Sequence, residues 1–239
     1  MIKTLKAPFR RAPVFYEDVT VSTNTQLKEM AADGAENGTV LISGSQTGGR
    51  GRRGRSFLSP EGGLYLSMLL KFPKFDERLS SITAVTAVAV SSTLDRELGT
   101  KTAIKWPNDI RIDGRKLCGI LTEAVSRGTE TDIVVGIGIN LNAASFPDEL
   151  KTIATSVLAE TGRKTDIDSF AMSLVSALDG YFENAPDFPP SCLEEYRARC
   201  DTLGKDLPSG GTAVRIEDDY SLAVRNPDGS EYIKFFGEI

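Results

Sequence analysis

The sequence predicts an α+β fold: a mixed β-sheet packed with helices over residues 1–203, then a small C-terminal β domain over residues 204–239. Three observations predict it. Short apolar runs alternate with longer helical segments as far as about residue 203, the order expected of a sheet covered by helices. Asp113-Gly114 separates two β-like runs, the strongest hairpin signal in the chain and hence a sign of antiparallel pairing. From Lys205 the pattern changes to short strands with turns at Glu217-Asp-Asp219 and Asn226-Pro-Asp-Gly229.

The elements follow in order. Residues 14–19 alternate weakly as a strand. Ser22-Thr-Asn-Thr-Gln26 offers cap residues and a Thr-x-x-Gln capping box for a helix that stops at Gly34. Strands at 39–43 and 64–70 flank a glycine- and arginine-rich loop. Residues 77–98, rich in Ala and Val, read as a long helix closed by Gly99 and buried beneath the sheet. A short strand at 103–105 ends at Trp106-Pro107, and the hairpin pairs 110–112 with 116–124. Residues 133–141 form a continuous apolar strand interrupted by Gly136 and Gly138, with an edge open to pairing with a second copy as one expectation. Helices are expected at about 153–161, 167–183 and 191–203.

Composition excludes several classes of function. The chain has 239 residues, a net charge of −5 and a pI near 5.0. That balance argues against general binding to nucleic acid or anionic membranes. The start lacks the apolar stretch of a signal peptide. The most apolar helix, around Ile82–Val90, is far short of the roughly 20 residues a membrane span needs. A soluble, cytoplasmic protein, monomer or homodimer, is expected. The three cysteines lack paired spacing; on one helix Cys192 and Cys200 would stand about 12 Å apart, too far for a disulfide. No histidine occurs, so imidazole-based nucleophile activation and histidine metal sites are excluded. Lys, Arg, carboxylates and a hard metal such as magnesium remain.

The most informative segment is Gln46-Thr-Gly-Gly-Arg-Gly-Arg-Arg-Gly-Arg55, with four arginines and four glycines in ten positions. Four like charges this close repel, and the glycines deny the segment helix or strand stability while letting backbone approach a ligand. Guanidinium forks beside bare N–H groups make a receptor for phosphate or carboxylate. The arginines are expected to be held only once an anion arrives. Gly49, Gly51 and Gly54 match G-x-G-x-x-G literally, but a turn-rich stretch and a second strand follow instead of a helix, which argues against a dinucleotide fingerprint. A solvated loop and an RNA-binding stretch are the competing readings of this segment alone.

Three further polar groups stand in the apolar frame. Lys105-Trp-Pro-Asn-Asp109 lies between two strands, where Asn108 and Asp109 serve either as turn-formers or as cleft residues beside Lys105. Lys116 begins an apolar strand, as an edge lysine or a pocket cation, and Gly119 leaves room for a ligand. Gly136-Ile-Gly-Ile-Asn140 ends a buried strand in an amide.

In this order, Ser22-Thr-Asn24, Gln46, GRGRRGR, KWPND, RKLCGIL, GIGIN and Gly237-Glu-Ile239, the motifs resemble the biotin protein ligases, or biotin–[acetyl-CoA carboxylase] ligases. The resemblance covers about residues 14–239. It implies a class II synthetase-like catalytic domain that makes biotinyl-5′-AMP from biotin and MgATP, then passes the biotinyl group to a lysine of a biotin carboxyl carrier protein. It further implies that Ser22, Thr23, Asn24 and Gln46 meet the ureido head, and that Gly49, Arg50, Gly51 and Arg52 wrap the valeryl chain and phosphate. Lys116 would hold carboxylate and α-phosphate beside Gly119, and Asn140 would read adenine. Lys105, Asn108 and Asp109 would line the phosphate and acceptor side, with Asp109 accepting from the incoming lysine. Magnesium would arrive with ATP near Asn108 and Asp109, no metal being held by protein alone. Phe57 stands where many relatives have Trp. The 13 residues before Val14 leave no room for a winged-helix domain, so a ligase without repressor activity is expected. A lipoate or octanoyl ligase, which shares the fold, would lack GRGRRGR.

Overall fold

The computed structural model describes residues 2–7 and 10–235; Gly237-Glu-Ile239 lies outside them. Eight strands form one sheet: β1 (Lys3–Leu5), β2 (Val14–Thr20), β3 (Val40–Gln46), β4 (Leu64–Phe72), β5 (Ala103–Lys105), β6 (Asp109–Ile112), β7 (Arg115–Arg127) and β8 (Glu130–Ile139). Their spatial order is β1-β2-β3-β4-β8-β7-β6-β5. β2 and β3 run parallel, and every other neighbouring pair is antiparallel. The helices are α1 (Thr23–Ala32), α2 (Ile82–Leu98), α3 (Val157–Thr161), α4 (Ile167–Phe182) and α5 (Pro190–Arg199). A second sheet of β9 (Thr212–Ile216), β10 (Leu222–Arg225) and β11 (Glu231–Lys234) follows, in the order β11-β10-β9.

Strand periodicity sorts the side chains onto two faces. Leu64, Leu66, Met68 and Leu70 of β4, with Ile133, Val135, Ile137 and Ile139 of β8, enter the main core under α2 and α4. Leu41, Leu69 and Val134 point the other way, against Leu27 and Ala31 of α1. α1 is short and covers only part of its face, and the uncovered part becomes the site. The hairpin forms as expected: Asp113 and Gly114 both take positive φ, 48° and 77°, the geometry that a two-residue turn between twisted strands requires.

Several expectations are corrected. β8 lies between β4 and β7 and offers no open edge, because its apolar run is the signature of a strand buried on both sides. The capping box does not form: Ser22 is the cap, and Gln26 Oε1 instead accepts from the Thr20 hydroxyl at 2.6 Å. Of the helix expected over 153–161 only α3 is helical, since Ser156 caps it late and residues 153–155 pair with Lys116. α5 stops at Arg199 because Cys200 turns to bridge Ile104. Residues 77–81 are a tight 3-10 turn ahead of α2. β1, too short to show a period, pairs with β2 unannounced. Cys118, Cys192 and Cys200 are free and buried.

Candidate active site

A cavity of about 320 Å³ opens on the α1 side of the sheet, within the size range of small-molecule sites. Its floor is made by absent side chains. Gly138 stands opposite Gly119 across the β7–β8 ladder, and Gly136 opposite Leu121 on one side and Ser67 on the other. A Cβ on Gly136 would lie 2.2 Å from Asn24 Oδ1, and one on Gly138 would lie 2.6 Å from the Phe57 ring. Those two neighbours enter because the strand carries no Cβ there.

One end of the cavity is neutral and rich in hydrogen-bonding groups. Ser22, Thr23, Asn24 and Gln46 line it. Asn24 Oδ1 accepts from the Ser67 hydroxyl at 2.6 Å, and Gln46 Oε1 accepts from the Thr23 amide at 2.9 Å. The other end is cationic, with Arg52, Lys105, Lys116 and Gly119 in its wall, while Arg50 and Gly51 line the cavity from the loop, Arg50 beside the Glu123 carboxylate that Asn24 also reaches. Asn108 and Asp109 line the cationic end as well. Lys116 Nζ lies 2.6 Å from Asp109 Oδ1 and 5.6 Å from the centre of the Phe57 ring.

Each charged side chain is positioned by its strand. The Lys116 amide donates to Ile153 O at 2.8 Å, and its carbonyl accepts from the Thr155 amide at 2.9 Å. Asn108 Nδ2 donates to Ile120 O at 2.7 Å, which staples the corner before β6 onto β7. That corner contains a cis Trp106–Pro107 bond. Trp106 Nε1 donates to Tyr220 O at 3.0 Å, and Tyr196 Oη donates to Pro107 O at 3.1 Å. Partial burial, then the charge of Arg111, hold the Lys105 ammonium below its ordinary pKa. Burial and then Arg53 do the same to Arg52.

The arginine loop is more structured than its composition suggests. It closes as a small hairpin, with an Arg50–Ser56 bridge and a turn over Arg52–Gly54 in which Arg53 takes φ 56°. Two of its arginines have partners within the protein. Arg50 Nη2 lies 3.2 Å from Glu123 Oε1, and Arg52 Nη1 donates to Asn108 Oδ1 at 3.3 Å. Gly49 and Asn140 are absent from the cavity wall. A Cβ on Gly49 would strike Phe57 O at 2.4 Å, and Asn140 Nδ2 donates to Thr155 O at 3.0 Å. Sequence reasoning missed Ser67, Glu123, Lys234 at the end of β11 and Phe235 just after it, of which the last two line the cavity. Ser67 was readable: it is the one small polar residue in Leu64–Leu70.

A family model for biotin/lipoate A/B protein ligases matches residues 16–140. The chain belongs to that family. It is 40% identical over 241 residues to the bifunctional ligase/repressor BirA of Bacillus subtilis, covering 96% of this chain and 74% of that one. With the biotin–[acetyl-CoA-carboxylase] ligase of Paracoccus denitrificans it shares 30% identity, over 91% of this chain and 98% of that one. The fold superposes with a TM-score of 0.80 on biotin protein ligase from Aquifex aeolicus in complex with biotin and ATP, at 30% identity, covering 94% and 96% of the two chains. Within this family the fold agrees with the α+β reading. Among the described residues no helix is long and apolar enough to cross a membrane.

Proposed function

We propose that this chain is a biotin–[biotin carboxyl carrier protein] ligase. It activates biotin with ATP as biotinyl-5′-AMP, releases pyrophosphate, and transfers the biotinyl group to a carrier lysine in the cytoplasm. The observation that carries this reading is the two-ended cavity: a neutral hydrogen-bonding end at Thr23, Asn24 and Gln46 and a cationic end at Arg52 and Lys116, with Arg50 in the wall from the loop and a shared glycine floor. A neutral head with several polar groups and an anionic tail suits that distribution. Membership in the family, and relatives named for biotin ligation, support it.

Adenylation joins two anions. The biotin carboxylate oxygen attacks the α-phosphorus, a new C–O–P link forms, and the bond to the β-phosphate breaks. Arg50, Arg52 and Lys116 offset the repulsion between the reactants and the charge that develops on phosphorus. They work by position rather than by covalent participation. In the second step a carrier lysine amine attacks the acyl carbon and AMP departs, with Asp109 assigned as acceptor of the amine's proton. The Lys116 ammonium lies 2.6 Å from that carboxylate. Asp109 and Asn108 offer oxygen donors of the kind magnesium prefers, and no cluster of three acidic or sulfur ligands occurs among the described residues. This donor set fits an ion delivered with the nucleotide. When bound, the ion neutralises phosphate charge.

The test is pyrophosphate release from ATP on adding biotin, with lipoate as control. Release with biotin alone is expected; equal release with lipoate, or none with either, would contradict the reading.

A further inference from the structure

We propose that Glu123 is a positioning residue that fixes the arginine loop against the head-group end of the cavity, an inference that rests on the reaction proposed above. The carboxylate projects from β7, two residues beyond the wall residue Leu121 and opposite Val134. It accepts from Lys28 Nζ at 2.8 Å and from Asn24 Nδ2 at 2.9 Å. Arg50 Nη2 lies 3.2 and 3.3 Å from its two oxygens. Helix α1, the loop and the sheet therefore converge on one half-buried side chain.

The sense of the hydrogen bonds around it is forced. Glu123 and the Leu121 carbonyl can only accept, so Asn24 must turn Nδ2 to both. Its Oδ1 then faces Ser67, which must donate to it. The Thr23 hydroxyl, 2.8 Å from Ser67 Oγ and 3.1 Å from Gln46 Oε1, gives its single proton to one of those two. Gln46 Nε2 donates to Ser59 Oγ at 2.9 Å, and Ser59 donates to Phe57 O at 3.0 Å. This relay meets the loop at both stems: Arg50 before the turn and Phe57 after it. A ligand head that bonds to Asn24 thus meets an amide whose orientation Glu123 and the Leu121 carbonyl fix together, and the same carboxylate holds Arg50 of the cavity wall.

A surface ion pair alone would do less. With side-chain exposures of 43% and 24%, Arg50–Glu123 would as a bare pair add little stability and would leave substrate constants unmoved. Glu123→Gln separates the two roles, because it keeps shape and an acceptor oxygen while removing the charge. In the ligand-free chain, hydrogen exchange at the Gly51 and Phe57 amides is expected to rise about tenfold, with core amides unchanged. In pyrophosphate release, KM for biotin is expected to rise about tenfold while KM for ATP stays within about twofold. Glu123→Asp is expected to recover part of the loss. Combining Glu123→Gln with Arg50→Ala is expected to cost no more than Arg50→Ala alone. Unchanged loop exchange, equal rises in both KM values, or losses that multiply would each overturn the proposal. Should Glu123→Gln not fold, Arg50→Gln removes the same contact from its exposed side, and unchanged loop exchange in that variant would overturn it equally. The exchange measurement needs no substrate. A wild-type chain inert toward biotin would sink the proposed reaction and leave the anchor to be judged by exchange.

Discussion

Lys116 and Asp109 form an ion pair at 2.6 Å with partial exposure, so removing the lysine should disturb chemistry far more than stability. Lys116→Ala is expected to lose about 10²–10³-fold in adenylation while unfolding within about 1 kcal/mol of the parent; urea titration beside pyrophosphate release separates the two. The glycine floor behaves oppositely. Gly136→Ala would press a methyl onto Asn24 Oδ1, itself held by Ser67, and should cost about 1–3 kcal/mol together with biotin affinity. At Gly138 the obstacle is the Phe57 ring, whose displacement is the expected outcome of Gly138→Ala and is visible in the exchange of residues 56–58. Glu123 adds a pH signature. Burial pushes its pKa up, but the bonds from Lys28 and Asn24, then the charges of Lys28 and Arg50, outweigh that and hold it below its ordinary 4.5. A depressed carboxyl stabilises above its unfolded pKa and ceases to do so as pH falls through the folded one. The stability gap between parent and Glu123→Gln should therefore be full at pH 6 and shrink below about pH 4.5; a gap constant with pH would contradict this assignment. Among residues, charges and glycines were legible because their types are rare in apolar strands. Glu123 was not, because its partners come from two other segments, α1 and the arginine loop, that only the fold brings to β7.

Helix α1 shows how an element serves the site. Leu27 and Ala31 seat it on Leu41, Leu69 and Val134, and that contact carries Thr23 and Asn24 to the cavity. Leu27→Ala should cost about 2–5 kcal/mol and weaken biotin binding as well, measured by urea unfolding and by biotin titration. Unaltered affinity would mean that the helix start is placed by its bond to Ser67 rather than by packing. Strands with strong alternation or continuous apolar runs were readable, as was the hairpin at Asp113-Gly114. Helix ends were less so. α3 and α5 fall short of their expected spans because residues 153–155 and Cys200 make bridges to other strands, contacts between segments that carry no local signature. The loop's hairpin was hidden for the same reason: Gly51 N bonds to Arg55 O, while its glycines argued only for freedom.

Across the molecule, a chain of net charge −5 concentrates cations in one cavity, which favours small anions over polyanionic surfaces. The core runs without a break from the large sheet into the small one. Tyr196 meets Tyr220 edge-on at 5.5 Å, and Trp106 bonds to the Tyr220 carbonyl. The single tryptophan therefore reports on the junction, and its fluorescence should change in the same urea range as far-UV circular dichroism. An earlier fluorescence transition would mean that the small sheet detaches independently. This junction was invisible in the sequence, where the change of pattern at Lys205 suggested only an appendage; Lys234 and Phe235 reach the cavity because the small sheet packs back on Trp106.

Mass spectrometry of the reaction mixture tests the central claim most directly, with the protein, biotin, ATP and magnesium incubated with and without an apo carrier domain. Biotinyl-5′-AMP should accumulate when the carrier is omitted, and with carrier present a single lysine should gain the biotinyl mass while AMP is released. If a folded protein yields neither the acyl-adenylate nor the modified lysine, the two-ended cavity does not perform the reaction assigned to it.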